Sequence, residues 1–381
     1  MDTLDYIIVG QGIAGSCLAF ELLERGAKIE IFDESWRDAA CLVAAGVINP
    51  ITGKRLVKSW RSGLAHPYAK KFYRALESKL GAEFFHDRKI LQLCRSPEER
   101  ELWTTRAELP DYAEFLGESH PAGFFDALND SNGSFFIEHS AWVETQQAME
   151  AFKKYFESRG VLVRERFDYA KLDASGETLS YGGLSARKIV FCEGWRAREN
   201  PYFSWLPYRP AKGEILSIRS DAEVPPHIIH RGNWIMKCGD GLFRIGSTWD
   251  RERLDSEPTD AARAELLAAA PNMFGKKYAF DVVSHSAGVR PCTATTRPHL
   301  GAHPADSRLL SFNGFGSKGY ALSPYFAKHF CDWLDGKTAL DSEADLARHA
   351  RKFFSRAFAP ADFPFFAALP KKFFFDQFVR T

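Results

Sequence analysis

The 381-residue sequence contains no run of about 18 consecutive apolar residues, so nothing in it would span a membrane as a helix. It has almost no net charge. Fifty Lys and Arg against 49 Asp and Glu leave +1, which gives no whole-protein field to attract nucleic acid or an anionic membrane surface. Its seven cysteines, at 17, 41, 94, 192, 238, 292 and 331, are odd in number and show no CxxC or Cys/His metal spacing. Reduced thiols in a cytoplasmic protein are the simplest reading. The 11 histidines form no metal-ligand spacing either. Repeats, low-complexity tracts and linker-like stretches are missing, and a glycine motif within ten residues of Met1 leaves no room for a signal peptide. With 45% hydrophobic and 26% charged residues, the expectation is a compact α/β body of one large or two intertwined domains.

What is present begins with "YIIVGQGIAGSCLAFELLERGAKIEIFDE" at residues 6–34. An apolar run suited to a buried parallel strand leads into Gly10, Gly12 and Gly15, then a helical segment that Gly26 can end. A second strand follows and stops at Asp33, 23 positions after Gly10. Each part has a task. Gly10 allows a tight turn, Gly12 lets the backbone approach a pyrophosphate, and Gly15 lets the helix pack on the strand. The helix N-terminus offers N–H groups and its dipole to phosphates. A carboxylate at Asp33 suits a ribose hydroxyl and repels a 2′-phosphate, so NADP is disfavoured while NAD and FAD both stay open.

The rest of the chain reads as mixed elements. Residues 35–62 are dotted with small residues, and from Lys54 to Arg74 there are seven cations and no acid. A helix is expected over roughly 67–80, with Ala69, Phe72, Leu76 and Leu80 inward and the cations on its outer face. They are either solvated or a site for an anionic substrate. An amphipathic helix is expected over 142–160, a buried strand over 189–192, a strand-rich region over 207–250 and a helix over 258–269. A late strand then runs into a glycine turn and a helix through Trp333. That order implies a nucleotide domain assembled from separated segments, with a second sheet domain filling the gaps.

Four separated stretches resemble the D-amino acid oxidase / glycine oxidase flavoprotein family. They are "VGQGIAGSCLAFELLERGAKIEIFD", "IVFCEGWRA" with "RPAKGEIL", "GSTWD", and "AGVRPCTATTRPHLG" with "NGFGSKGYALSP". "GSTWD" and "GFGSKG" look most like the flavin domain of the bifunctional tRNA 5-methylaminomethyl-2-thiouridine biosynthesis protein. The resemblance implies an α/β fold: a Rossmann-like FAD-binding domain of the glutathione reductase type, with an inserted mixed-sheet substrate domain. The implied division is 1–82, 140–206 and 284–340 for FAD, 83–139 and 207–283 for substrate, and 341–381 as a Phe-rich extension.

The cofactor would then be FAD. The resemblance assigns its pyrophosphate to Gly10, Gly12 and Gly15, with Ile13 and Ala14 opening the helix, and its ribose to Asp33, beside Glu34. Ala44, Ala45 and Gly46 would pass near the flavin ring. Glu193, Gly194 and Trp195 stand where relatives have Ala-Gly-Trp, and the carboxylate of Glu193 departs from that pattern. Gly314, Gly316, Ser317, Lys318, Gly319 and Tyr320 would meet the polar edge of the ring, where a donor or cation such as Lys318 stabilises the reduced cofactor. Arg290 matches the carboxylate-binding arginine, suited by its two parallel donors and permanent charge; a structural salt bridge is the alternative. Arg244 occupies the strand position of a lysine that promotes reaction with oxygen in sarcosine oxidase. Cys292 lies near where sarcosine oxidases attach flavin covalently, although noncovalent FAD is the first expectation.

Three functions compete at this stage. The first is oxidation of a glycine- or sarcosine-like amino acid at the carbon next to its amine. The second is oxidation of a carboxymethylaminomethyl group on a modified tRNA uridine, for which the 54–74 cations would bind RNA. The third is a flavin-bound interaction protein. Its tail, with ten phenylalanines in residues 353–378, would dock a partner; the first expectation for that tail is a helical extension packed on its own body, and an oligomer interface or a membrane-surface contact are the alternatives.

Overall fold

The computed structural model describes residues 3–34 and 39–357. The strand Leu4–Val9 runs into the helix Ile13–Glu24, and the chain returns along the strand Ile29–Phe32. Leu4–Val9 pairs in parallel with Ile29–Phe32 on one side and with Leu184–Phe191 on the other. Leu162–Val163 extends the sheet beyond Ile29–Phe32, and Asp306–Asn313 extends it beyond Leu184–Phe191, both in parallel. Parallel strands need covering on both faces. The helices Ile13–Glu24, Ser62–Leu80, Thr145–Ser158 and Gly319–Leu334 supply one cover, packed through Leu18, Phe72, Phe152 and Phe326, all buried. Phe167, Phe203, Trp205 and Phe353 fill the other side.

A second, mostly antiparallel sheet has eight strands. Their order is Asp281–Arg290, Ala211–Arg219, Leu242–Gly246, Asn233–Gly239, Ile228–Arg231, Ile90–Leu93, Ser134–Ile137 and Leu116–His120. Alternation along each strand gives it two faces. Phe243 and Ile245 join Leu216, Ile218 and Leu266 in a core on one face. Their neighbours Arg244 and Gly246 therefore look out from the opposite face, toward the first sheet. The strand Asp281–Arg290 pairs along its length with Ala211–Arg219, from Arg219↔Asp281 to Ala211↔Arg290. The domain boundary expected at residue 284 thus falls inside a strand of the second sheet.

The helix expected over 67–80 begins earlier than the sequence suggests, at Ser62, and carries Pro67 inside its second turn, where the missing N–H gives up the bond to the Gly63 carbonyl. Of its expected inner face, Ala69, Phe72 and Leu76 are buried, and Leu80 is half-buried. All seven cations from Lys54 to Arg74 are exposed. Lys70 and Arg74 pair with Asp87, and Arg61 pairs with Asp341. Of the Phe-rich extension, Phe353 is buried against Trp205 and His303, while residues 358–381 lie outside the described residues. Among the described residues no helix is long and apolar enough to cross a membrane.

Candidate active site

One cavity of about 450 Å³ runs from the ends of the first sheet's strands to the open face of the second. At its first end the glycine turn has the geometry the sequence implies. Gly10 has φ +98°, and a Cβ there would lie 2.6 Å from the Cys192 carbonyl oxygen. A Cβ on Gly15 would lie 1.9 Å from the Gly10 carbonyl oxygen, so no side chain fits between turn and helix. A Cβ on Gly12 would meet nothing within 4 Å, because Gly12 opens onto the cavity. Ile13 and Ala14 line the same wall. Asp33 accepts a 2.6 Å hydrogen bond from the Gln11 backbone N–H, which ties the second strand's terminal acid to the turn. Glu34 lines the cavity beside it and pairs with Arg196 at 3.0 Å.

The departure at Glu193 acquires a structural context. Its carboxylate accepts from Tyr169 Oη and, at 2.6 Å, from Asn200 Nδ2. Burial pushes its pKa up to about 7 against those two donors. Gly194 follows at φ +62°, and its carbonyl accepts from Asn313 Nδ2 at 2.8 Å. Glu193, Gly194 and Trp195 all line the cavity.

Midway, two segments face each other. Ala44, Ala45 and Gly46 form one wall. A Cβ on Gly46 would lie 2.0 Å from the Val143 carbonyl oxygen, so that segment is pressed against its neighbour. Gly316, Ser317, Lys318, Gly319 and Tyr320 form the other, where the turn opens the helix Gly319–Leu334. Lys318 is largely buried, and burial, then the charge of Arg297, pulls its pKa down. The Tyr320 hydroxyl donates to the Cys41 carbonyl at 3.0 Å. Gly314 lies behind this wall, not on it, with its missing Cβ site 2.7 Å from Thr293 Cγ2. Cys292 also lies behind, with Sγ 3.4 Å from where a Cβ of Gly316 would be, and burial raises its thiol pKa.

Arg290 closes the far end. Its Nη1 donates to the Lys212 carbonyl at 3.0 Å; its Nη2 donates to Ser247 Oγ at 2.8 Å and the Thr248 carbonyl at 3.2 Å. The guanidinium stacks on Trp249, 4.6 Å from the ring centre. No carboxylate of the described residues pairs with it, so the alternative of a structural salt bridge has no partner there. Ser247 Oγ accepts from Arg290, which leaves its own O–H to donate to an acceptor held against the guanidinium. Burial lowers the Arg290 pKa, but a guanidinium stays charged.

Arg244 shares this sheet face without lining the cavity. Its Nη2 donates to the Val43 and Ala44 carbonyls at 2.7 and 3.3 Å, beneath the small-residue wall. Two histidines that the sequence did not single out do line it. His66, on the Ser62–Leu80 helix, is 5% exposed, and burial followed by the charge of Lys318 lowers its pKa to about 4. His230 lies on the second sheet, its pKa also lowered to about 4, mainly by burial. No local motif marks either, because register and helix packing bring them to the cavity. None of the seven cations from Lys54 to Arg74 lines it.

Comparison with known proteins places this geometry. The chain is 24% identical to a glycine oxidase of Pseudomonas aeruginosa over 91% of this chain and 98% of that one. The structure of glycine oxidase from Geobacillus kaustophilus superposes with a TM-score of 0.76 at 20% identity, over 92% of this chain and 100% of that one. That of iminodiacetate oxidase from Chelativorans sp. BNC1 superposes with a TM-score of 0.72 at 22% identity, over 88% and 96%. Residues 5–333 match the family described as "DAO: FAD dependent oxidoreductase", and with the turn, the acid at Asp33 and the two-sheet cavity in place, the chain belongs to that family of FAD-dependent oxidoreductases.

Proposed function

We propose that the protein oxidises a small α-amino acid of the glycine or sarcosine kind, with its carboxylate on Arg290 and noncovalent FAD along the cavity. The observation that carries this reading is Arg290 itself: a half-buried guanidinium in the cavity, anchored by neutral acceptors and unmatched by any acid of the described residues. A carboxylate supplies the missing charge and takes charge-assisted hydrogen bonds.

The residues present fit FAD. The bare Gly12 turn with its helix N-terminus suits the pyrophosphate, and Asp33 suits the ribose. The Ala44–Gly46 and Gly316–Gly319 walls would take the ring between them. Bound FAD supplies the two-electron acceptor for a hydride from the carbon next to the amine. The protein's share is orientation. Arg290 and Ser247 fix the carboxylate, Trp249 backs the guanidinium, and the apolar walls exclude water from the reacting carbon. The amine must arrive or become uncharged before its carbon gives up a hydride, and the imine that leaves is hydrolysed by water. No strong base is required at the reacting carbon.

The test is anaerobic bleaching of the flavin by glycine and sarcosine, followed by steady-state kinetics. Arg290→Ala should keep its flavin and raise KM about 100-fold, since losing one partner of a buried charged pair costs several kcal/mol. An unchanged KM removes Arg290 from the site.

A further inference from the structure

We propose that Tyr169 donates a hydrogen bond to an oxygen of the cofactor's adenosine-diphosphate half, and that it can do so only while Glu193 carries a proton, so that taking up FAD also takes up a proton. This coupling rests on FAD lying along the cavity and not on the reading of Arg290. Glu193 stands against the glycine turn: a Cβ on Gly10 would lie 3.4 Å from its Cα. Tyr169, Glu193, Asp33 and Glu34 line the same end of the cavity, beside the turn that suits a pyrophosphate. A charged Glu193 would face a doubly anionic group there, and a neutral one would not.

The two carboxylate oxygens are held differently. Oε2 accepts from Asn200 Nδ2 at 2.6 Å. That amide cannot turn over, because Asn200 is fully buried and its Oδ1 already accepts from the Tyr202 and Phe203 backbone N–H groups at 2.8 and 3.2 Å. Oε2 therefore always meets a donor, and a proton on Glu193 goes to Oε1. Oε1 meets Tyr169 Oη, and a hydroxyl both donates and accepts. While Glu193 is charged, the Tyr169 O–H donates to Oε1. Once Oε1 carries a proton it donates to Tyr169 Oη, and the phenol hydrogen turns to the opposite side. The ring itself is held by Phe167 and Phe191, with centres 5.8 and 6.2 Å away. Tyr169 Oη has no second partner among the described residues, so the turned hydrogen is left for a ligand oxygen in the cavity.

The surroundings make both states reachable near neutral pH. No cation of the described residues pairs with Glu193. Cys192 and Tyr208 beside it are buried and stay neutral. Arg166 acts on Tyr169, and both Arg166 and Arg196 pair with Glu34 instead, at 3.9 and 3.0 Å. Burial raises the Glu193 carboxyl to about 7 against its two donors, and the charge of Glu199 adds to the rise. An anionic ligand beside it raises it further.

Binding of FAD to the apoprotein, followed by flavin fluorescence, tests this without turnover. Wild type should bind about 10-fold more weakly at pH 8.5 than at pH 6.0, the worth of one hydrogen bond. Calorimetry at pH 7.5, in two buffers of different ionisation enthalpy, should show about half a proton taken up per FAD. Glu193→Gln, whose amide N–H replaces the protonated oxygen facing Tyr169, should keep the wild-type pH 6.0 affinity at both pH values. Tyr169→Phe should bind about 10-fold more weakly than wild type at pH 6.0 and change little up to pH 8.5. A wild-type affinity that is flat with pH, or a slope that survives Glu193→Gln, overturns the coupling. Wild-type affinity in Tyr169→Phe at pH 6.0 removes Tyr169 from the site. The proton count needs only wild type, so its absence overturns the inference even if both variants fail to fold. Apoprotein that takes up no FAD at pH 6.0 would remove the cofactor site itself, and this inference with it.

Discussion

A single methyl group at Gly213 would separate the position of Arg290 from its presence. Gly213 lies in the strand Ala211–Arg219, paired with Gly288, and the Arg290 side chain crosses directly over it. A Cβ there would lie 1.8 Å from Nη2, 2.2 Å from Cζ and 2.4 Å from Nη1. Ordinary van der Waals contact starts at 3.4 Å, so the guanidinium must retreat by at least about 1.6 Å. The backbone needs no change, since Gly213 is not among the residues with positive φ and alanine is at home in a strand. What moves is the far end of a flexible side chain, so stability should fall little, by about 1 kcal/mol. The three anchoring bonds to Lys212, Ser247 and Thr248 cannot all survive the shift. A displacement of about 1 Å in a positioning group costs on the order of 100-fold in rate. Gly213→Ala should therefore keep its FAD and melt within a few degrees of wild type, yet lose about 100-fold in kcat/KM for glycine and sarcosine. The assays are flavin content by absorbance, thermal melting, and anaerobic stopped-flow reduction. A variant within threefold of wild type in kcat/KM would refute the reasoning, because Arg290 would then be either free to relocate or irrelevant to substrate.

Other consequences are simpler to check. Cys292 sits behind the Gly316 wall, so acid precipitation should leave the flavin in the supernatant for wild type and Cys292→Ala alike; colour retained in the wild-type pellet and lost in the variant would contradict this. Glu193 has its pKa raised from 4.5 to about 7, so its burial penalises the folded state as pH climbs through that interval and the penalty is constant above it. The shift corresponds to on the order of 3 kcal/mol at pH 8. Glu193→Gln should raise the melting temperature at pH 8 by several degrees and leave it nearly unchanged at pH 4.5; a variant that melts lower than wild type at pH 8 would count against the assignment. Arg244 satisfies the Val43 and Ala44 carbonyls, and each one left bare costs about 1–3 kcal/mol. Arg244→Met should lower stability and flavin retention, with its remaining flavin reoxidised by oxygen at the wild-type rate. A selective loss of the oxygen reaction would instead make Arg244 the oxygen-promoting cation.

The features legible in the sequence and those hidden from it differ in one physical respect. Gly10, Gly12 and Gly15 are read from the chain because the turn is made within six residues: Gly10 takes the positive φ, Gly10 and Gly15 the close approaches, and Gly12 leaves the turn bare toward the cavity. Asp33 is legible for a related reason, since one helix and one strand fix the distance at which it meets the Gln11 N–H. Arg290 was reached through the resemblance of the "GVRP" stretch, but its surroundings were not. Lys212 comes from the neighbouring strand, Ser247 from the segment just past the strand Leu242–Gly246, and the room for the guanidinium comes from Gly213, 77 positions away. His230 is the furthest from view. Its tautomer is set by Gln92, 138 residues earlier, and its place on the cavity face by pairing with Trp234 on the neighbouring strand. The same rule separates the two arginines. Arg244 and Arg290 look alike in sequence as cations on strands, and both turn toward the first sheet. Only the small-residue segment lying across Arg244 makes one a support for the cavity wall and leaves the other facing the cavity. Position on a strand decides which face a side chain joins; what is laid over that face decides whether the side chain can meet a substrate.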